Sequence, residues 1–270
     1  MQGDFAIVAE GYTDQLVIQQ ILLGLFEQAD DEPFITFEQP LLDQTSRHRT
    51  PEPGGWDQVL KYLQLGKYRQ ALQFNRYLVI HIDTDVSEEY GVPKQRDGKE
   101  LEPIELVAAT IDRLRSFIDS SILDQHGDRL LFAIAVHSTE CWLLPLAIDR
   151  SQPQKRAKTV GCLATLDDEL RKSNRPLLST ADSKNPDAYR AIVRDYRKRK
   201  VIDAALARDP EDAFSHANKG WALLEGREPK KALDHFREAL RPSRHPSRGT
   251  KEADPPRKRK FPQALPKSPS

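Results

Sequence analysis

Cysteine is nearly absent from this chain of 270 residues: Cys141 and Cys162 are the only two, and they form no CxxC pair. Isolated thiols of this kind suggest neither a disulfide framework nor a zinc knuckle, so the expected setting is reducing and cytoplasmic. Long apolar runs are missing as well. None approaches the roughly 20 residues needed to span a bilayer, and the first residues lack the basic-then-apolar build of a signal peptide, so no membrane partner is expected. No GxxxxGK[ST] phosphate loop occurs, and Ser138 lacks the GxSxG surroundings of a hydrolase elbow. Net charge is absent too: 41 basic and 41 acidic residues cancel.

The distribution of charge is less even than its sum. From Arg241 onward there are nine Lys/Arg against only Glu252 and Asp254. This segment, 241–270, reads as a disordered basic tail rich in Pro and Ser. It is either an arm that meets an anionic polymer or simply a solvated end.

The apolar residues present are grouped in short blocks. Phe5 to Ala9 is continuous and apolar, as in a strand covered on both faces. Thr13 or Asp14 is then placed to cap a helix carrying Leu16, Ile18, Ile21, Leu22, Leu25 and Phe26. Phe34 to Phe37 suits a second strand. After the Pro/Gly loop "RTPEPGGWD", one helix is expected from about Asp57 to Phe74, then a strand at Leu78 to Ile82. A helix with Pro103 in its first turn follows, then a buried strand from Leu130 to Val136. Strands alternating with helices predict a parallel sheet with crossover helices, and such sheets gather reactive groups beyond the carboxyl ends of their strands.

Three of those strand ends deliver acids: Glu10 and Asp14 after the first, Asp83 and Asp85 after "LVIHI", and Glu140 after "FAIAVHST". In an extended segment Asp83 and Asp85 share a side. Crowded carboxylates repel, and a hard divalent cation relieves the repulsion; Mg²⁺ or Mn²⁺ is the expected cofactor. His81 is expected to be a packed, hydrogen-bonded core residue and Trp142 simply core, while His137 is a possible neighbour of the site.

"IVAEGYTD" followed by "VIHIDTD" resembles the two signature motifs of the TOPRIM domain, shared by topoisomerases, primases and OLD-family nucleases. The resemblance spans roughly residues 5–150. It implies that Glu10 is the acid/base or metal-ligating glutamate, that Gly11 permits close backbone approach to the cofactor site, and that Asp83 and Asp85 hold the metal, with Asp14 a further member. "HSTECWLL" is similar to a segment of stand-alone TOPRIM-like nucleases and would add Glu140 as a ligand. There is no room for a topoisomerase module, no zinc domain of a primase and no fused ATPase, so a stand-alone nuclease is the relative implied. The third motif shows no evident lysine; an incomplete second metal site would leave activity weak or absent.

Residues 151–240 read as helical. Pro210, Gly220, Ala222, Ala232, Phe236 and Ala239 resemble a tetratricopeptide repeat in spacing. The block either packs on the first domain, docks a protein partner or is a set of ordinary helices that fits the spacing. "YRAIVRDYRKRK" brings Arg194, Arg197, Lys198, Arg199 and Lys200 together, either as a phosphate-gripping strip or as a solvated face.

The expectation is therefore an α/β TOPRIM-like parallel sheet over residues 1–150, a helical extension over 151–240 and a tail over 241–270. The function implied is divalent-metal-dependent cleavage of DNA or RNA. The resemblance suggests phage defence, with a separate ATPase as a partner. The alternative is a non-catalytic scaffold that binds nucleic acid or protein.

Overall fold

A computed structural model of the protein describes residues 3–27, 32–41, 54–149, 151–181, 183–198 and 201. The tetratricopeptide-like block, the basic tail, Arg199 and Lys200 lie outside the described residues.

The chain folds as a four-stranded parallel sheet flanked by helices, a Rossmann-like α/β arrangement. The strands β1 (Gly3–Val8), β2 (Ile35–Gln39), β3 (Asn75–Asp83) and β6 (Leu130–Ala135) stand in the order β2-β1-β3-β6. Between β3 and β6 a two-stranded antiparallel ribbon, β4 (Gln95–Arg96) and β5 (Lys99–Glu100), projects at the surface. The flanking helices are α1 (Tyr12–Leu25), α2 (Trp56–Gln64), α3 (Tyr68–Phe74), α4 (Pro103–Arg115), α5 (Ser120–His126), α6 (Glu140–Ala147), α7 (Pro153–Arg156), α8 (Cys162–Lys172) and α9 (Pro186–Val193), the last continued by a 3₁₀ turn at Arg194–Arg197.

Side chains along a strand alternate between faces, and the sheet has one apolar cluster on each. Phe5, Ile7, Val79, Leu131 and Ala133 face one way, against α1, α6, α8 and α9. Ala6, Val8, Leu78, Ile80, Phe132 and Ile134 face the other, against α2, α3 and α4. Both faces are covered, which is why these strands read as unbroken apolar runs and not as alternating ones. Residues after 150 share the first of these cores: Leu166, Tyr189 and Tyr196 are fully buried in the cluster that holds Phe5 and Ile7.

Three local expectations need correction. Helix α1 begins two residues earlier than a Thr13 cap requires and three earlier than an Asp14 cap: Gly11 is the N-cap, and both side chains lie buried inside the first turn. The single helix from Asp57 to Phe74 is two helices, because Gly66 adopts a left-handed φ of 67° that turns the chain between α2 and α3. Strand β3 stops at Asp83, so Asp85 lies in the turn beyond it. Asp83 is buried and Asp85 exposed, and the two do not share a strand face.

The fourth correction concerns cysteine. Cys141 and Cys162 are joined in a disulfide that ties α6 to α8, their Cα atoms 5.0 Å apart. The pairing was invisible in the sequence because it is made by helix packing and follows no local motif. With the bond in place, the two cysteines no longer argue for a reducing compartment. Among the described residues, no helix is long and apolar enough to cross a membrane.

A bridge across a sequence separation of 21 residues constrains the unfolded chain by about 3 kcal/mol. Reduction, or Cys162→Ala, is expected to lower stability to denaturant by about that amount, and the unreduced protein, unfolded, should react with no thiol reagent. A labelled thiol in the unreduced protein would show that the bond does not form.

Candidate functional site: an acid cluster with a built-in lysine

The carboxyl ends of β1, β3 and β6 meet at one edge of the sheet, and the acids named from the sequence gather there. Glu10 follows β1, and its Oε1 accepts the backbone N–H of Asp83 at 2.6 Å, so the two strand ends are directly joined. The Glu10 backbone is held as firmly. Its carbonyl accepts the N–H of Gly55 at 2.8 Å. A Cβ on Gly54 would come within 2.2 Å of that same oxygen, so only glycine lets the loop before α2 lie this close.

Asp83 is fixed from the other side by the loop after β6. The backbone N–H and the hydroxyl of Thr139 both donate to Asp83 Oδ1, at 3.1 and 3.0 Å. Thr139 Oγ1 also lies 2.9 Å from His81 Nε2. His81 is fully buried, edge-on to the Trp142 ring with centroids 5.6 Å apart. Burial pushes its pKa down to about 4, so the ring is neutral. With the Thr139 proton given to Asp83, the His81 proton belongs on Nε2, facing Thr139. His81 and Trp142 are thus the packed residues expected. The loops after β3 and β6 interlock further: His137 N–H donates to Thr84 Oγ1 at 2.7 Å, and Asp85 N–H donates to the His137 carbonyl at 3.0 Å. His137 reaches the site through its backbone.

Asp14, on the first turn of α1, is 2% exposed, and its Oδ1 has no hydrogen-bond partner. Gly11 stands beside it; a Cβ there would lie 2.8 Å from Asp14 Oδ2. Asp85 is outside the strand, and its carbonyl accepts a hydrogen bond from Lys94 Nζ.

Glu140, the N-terminal residue of α6, is buried and differently placed. Its Oε1 is 2.7 Å from Lys184 Nζ and accepts the hydroxyl of Tyr189 at 2.5 Å. Lys184 was not foreseen. It sits just before Asn185, whose side chain caps α9 by accepting the Ala188 N–H, with Pro186 at the first helical position. "KNPDAYR" therefore announces a helix with a lysine at its mouth, but nothing in the order of residues connects that lysine to strands a hundred residues earlier. Tyr189 and Thr139 were missed for the same reason.

The electrostatics follow from this crowding. Burial, and then the Asp14 and Asp85 charges, push the Glu10 pKa up to about 8, against the opposing pull of the Asp83 N–H and Lys184. Burial and the charges of Asp14, Glu10 and Glu140 likewise raise Asp83. Burial alone would raise Glu140, but Lys184, through its charge and hydrogen bond, and the Tyr189 hydroxyl hold it at about 2. Burial would lower Lys184, yet Asp14, Glu140 and Asp83 together raise it. One cation is thus shared among several acids, and it satisfies Glu140 while leaving Glu10 and Asp83 short of positive charge.

The donor set suits a hard divalent ion: carboxylate oxygens throughout, one of them, Asp14 Oδ1, buried without a partner. Among the described residues no three His, Cys, Asp or Glu side chains are grouped as ready ligands of one ion. Magnesium does not require that, since it binds through one or two carboxylates and keeps waters and substrate oxygens. Of the nucleic-acid-binding residues expected, Arg194, Arg197 and Lys198 lie exposed at the end of α9.

Fold and site together define a parallel α/β protein with an acid-and-lysine cluster at the carboxyl edge of its sheet. No family model, no curated protein and no solved structure matches the chain.

Two outcomes test the electrostatics. Glu10 has a folded pKa above its unfolded value, so the stability it confers is complete below about pH 4.5 and lost as pH rises toward 8. In EDTA the thermal midpoint should therefore fall between those values, less steeply in Glu10→Gln, and Mn²⁺ should restore more at pH 8 than at pH 5. Lys184→Met leaves Glu140 buried without its cation. A fully buried pair broken this way costs about 3–5 kcal/mol. Because the lysine side chain is 39% exposed, water screens the loss to about 1–3 kcal/mol in urea unfolding. Adding Glu140→Gln should recover part of it; a double variant no better than Lys184→Met would refute the pairing.

Proposed function

We propose that the protein is a divalent-metal-dependent nuclease of the TOPRIM type, hydrolysing phosphodiester bonds of DNA or RNA. The observation that carries this reading is the junction of the two motifs: Glu10 of "IVAEG" accepts the N–H of Asp83 of "VIHIDTD" at 2.6 Å. Asp14 and Lys184 act electrostatically on the same groups.

Asp83, Asp14 and Glu10 would hold the ion, with Asp85 at the solvent side. When bound, it would supply Lewis acidity toward the phosphoryl group and acidify a water. Glu10, its pKa raised to about 8, is suited to hold or pass a proton at its second oxygen. Lys184 would present a fixed positive charge to a phosphoryl oxygen, and Glu140, Oε1 taken up by Lys184 and Tyr189, keeps that lysine in place. On this reading Lys184, from a later segment, would stand in for the lysine that the third motif lacks. The scaffold reading draws its support from the same lysine, which already neutralises part of the cluster.

Supercoiled plasmid, single-stranded DNA and RNA, each with Mn²⁺, Mg²⁺ or EDTA, are the substrates to try. The expected outcome is metal-dependent cleavage, reduced by about 10²-fold or more in Asp83→Ala/Asp85→Ala and in Lys184→Ala, the scale of losing one charge-stabilising group. Equal cleavage by wild type and the Asp83 variant, or none with any metal, would reject the nuclease.

A further inference from the structure

A cleft of about 1020 Å³ lies between α1 and α9, and it adjoins the acid cluster through Gly11, the neighbour of Glu10, and Lys184, the partner of Glu140. Tyr12, Leu16 and Gln19 form one wall, Arg190 and Arg194 the other, and Lys184 lines the end nearest the acids. A second hollow of about 550 Å³ shares Arg194 and Arg197 with the first, adds Lys198, and runs on to Phe26 just past the end of α1. The two follow the whole of α1, which at 14 residues is about 21 Å long.

The lining is unlike the rest of the protein. The chain as a whole is neutral, yet the larger cleft is lined by four cations, Lys184, Arg190, Arg194 and Arg197, against the single acid Asp187; the second hollow adds Lys198 but also Glu27 and Glu32. Asp187 pairs with Arg190, and Glu32 with Arg197. Arg194 makes no ion pair among the described residues and is exposed. Aromatic surface lies among the cations: Tyr12 and Phe37 both line the cleft, and the Arg190 guanidinium sits 5.3 Å from the centre of the Tyr12 ring while donating to its hydroxyl.

We infer that this cleft is the track of a single nucleic-acid strand, running along α1 with its phosphates on Arg190, Arg194 and Arg197 and a base against Tyr12, and ending at Lys184 and the acid cluster. A positive groove interleaved with aromatic rings is the chemistry of single-strand binding, where stacking is indifferent to base identity. The inference rests on the nuclease reading in one respect: the strand is led toward the proposed metal-binding acids.

The test is fluorescence anisotropy of a labelled single-stranded oligonucleotide, in DNA and RNA forms, and of a blunt hairpin duplex, all in EDTA with the full-length protein. Arg194→Glu and Tyr12→Ala are compared with Arg171→Glu, a charge reversal outside the cleft lining. All are first checked for wild-type thermal midpoints. The expected result is preference for the single strand, with affinity lowered about tenfold or more by Arg194→Glu and a flatter salt dependence. Tyr12→Ala should cost about 5- to 150-fold, and Arg171→Glu should change little. Unchanged binding in both cleft variants, tighter binding of the duplex, or equal competition by polyglutamate of matched charge would overturn the track. Cleavage by the same proteins separates the two readings. Metal-dependent cutting with an unaltered KM in the cleft variants would sink the track and leave the nuclease. Binding lost in those variants, with no cutting under any metal, would leave the track and sink the nuclease.

Discussion

Everything at the functional end of this protein depends on a conflict of charge. A parallel sheet covered on both faces brings its strand ends to one edge, and three of those ends carry acids into partly dry surroundings. Glu10 and Asp83 are joined there through a backbone N–H, while Asp14 keeps one oxygen without a partner. Buried like charges raise one another's pKa, and proton, lysine or metal ion can each supply the missing positive charge. The fold accepts the conflict because the surrounding core is extensive: strands β1, β3 and β6 are buried on both faces along nearly their whole length.

Lys184 gives only a partial answer to that conflict. It reaches the cluster from the loop that opens α9 and is bound to Glu140. This makes the later helices part of the site's electrostatics as well as of its core. Helices α6 and α8 are tied by the disulfide, and Tyr189 of α9 closes the Glu140 contact from within the same cluster. On the reading proposed above, phosphate would be the further partner, an anion that a metal ion and a lysine can share.

Much of this was legible in the order of residues. The apolar runs at Phe5 to Ala9, Leu78 to Ile82 and Leu130 to Val136 are the strands β1, β3 and β6, and Pro103 does open α4, where Glu102 and Glu105 form a reciprocal cap. Glu10, Asp14, Asp83 and Glu140 were recognisable because each follows a strand or its short loop, and a parallel sheet collects strand ends. Asp85 was placed correctly in the chain but not in the fold, since the strand ends two residues before it and the turn carries it to solvent. The break at Gly66 was hidden because an amphipathic pattern can run on across a left-handed turn without changing its apparent period.

The sequence by itself determined which segments form the four-stranded sheet, that this sheet is parallel and covered on both faces, and that Glu10, Asp14, Asp83 and Glu140 stand near its carboxyl edge; these are consequences of short-range pattern and of strand alternation. Only the tertiary structure decided that Lys184 and Tyr189 join those acids, that Cys141 and Cys162 meet, and that Arg190 meets Tyr12 in a cleft that Arg194 also lines. Each of those contacts pairs side chains from elements far apart in the chain, set by how helices pack on a sheet, and no local rule of periodicity or capping carries that information.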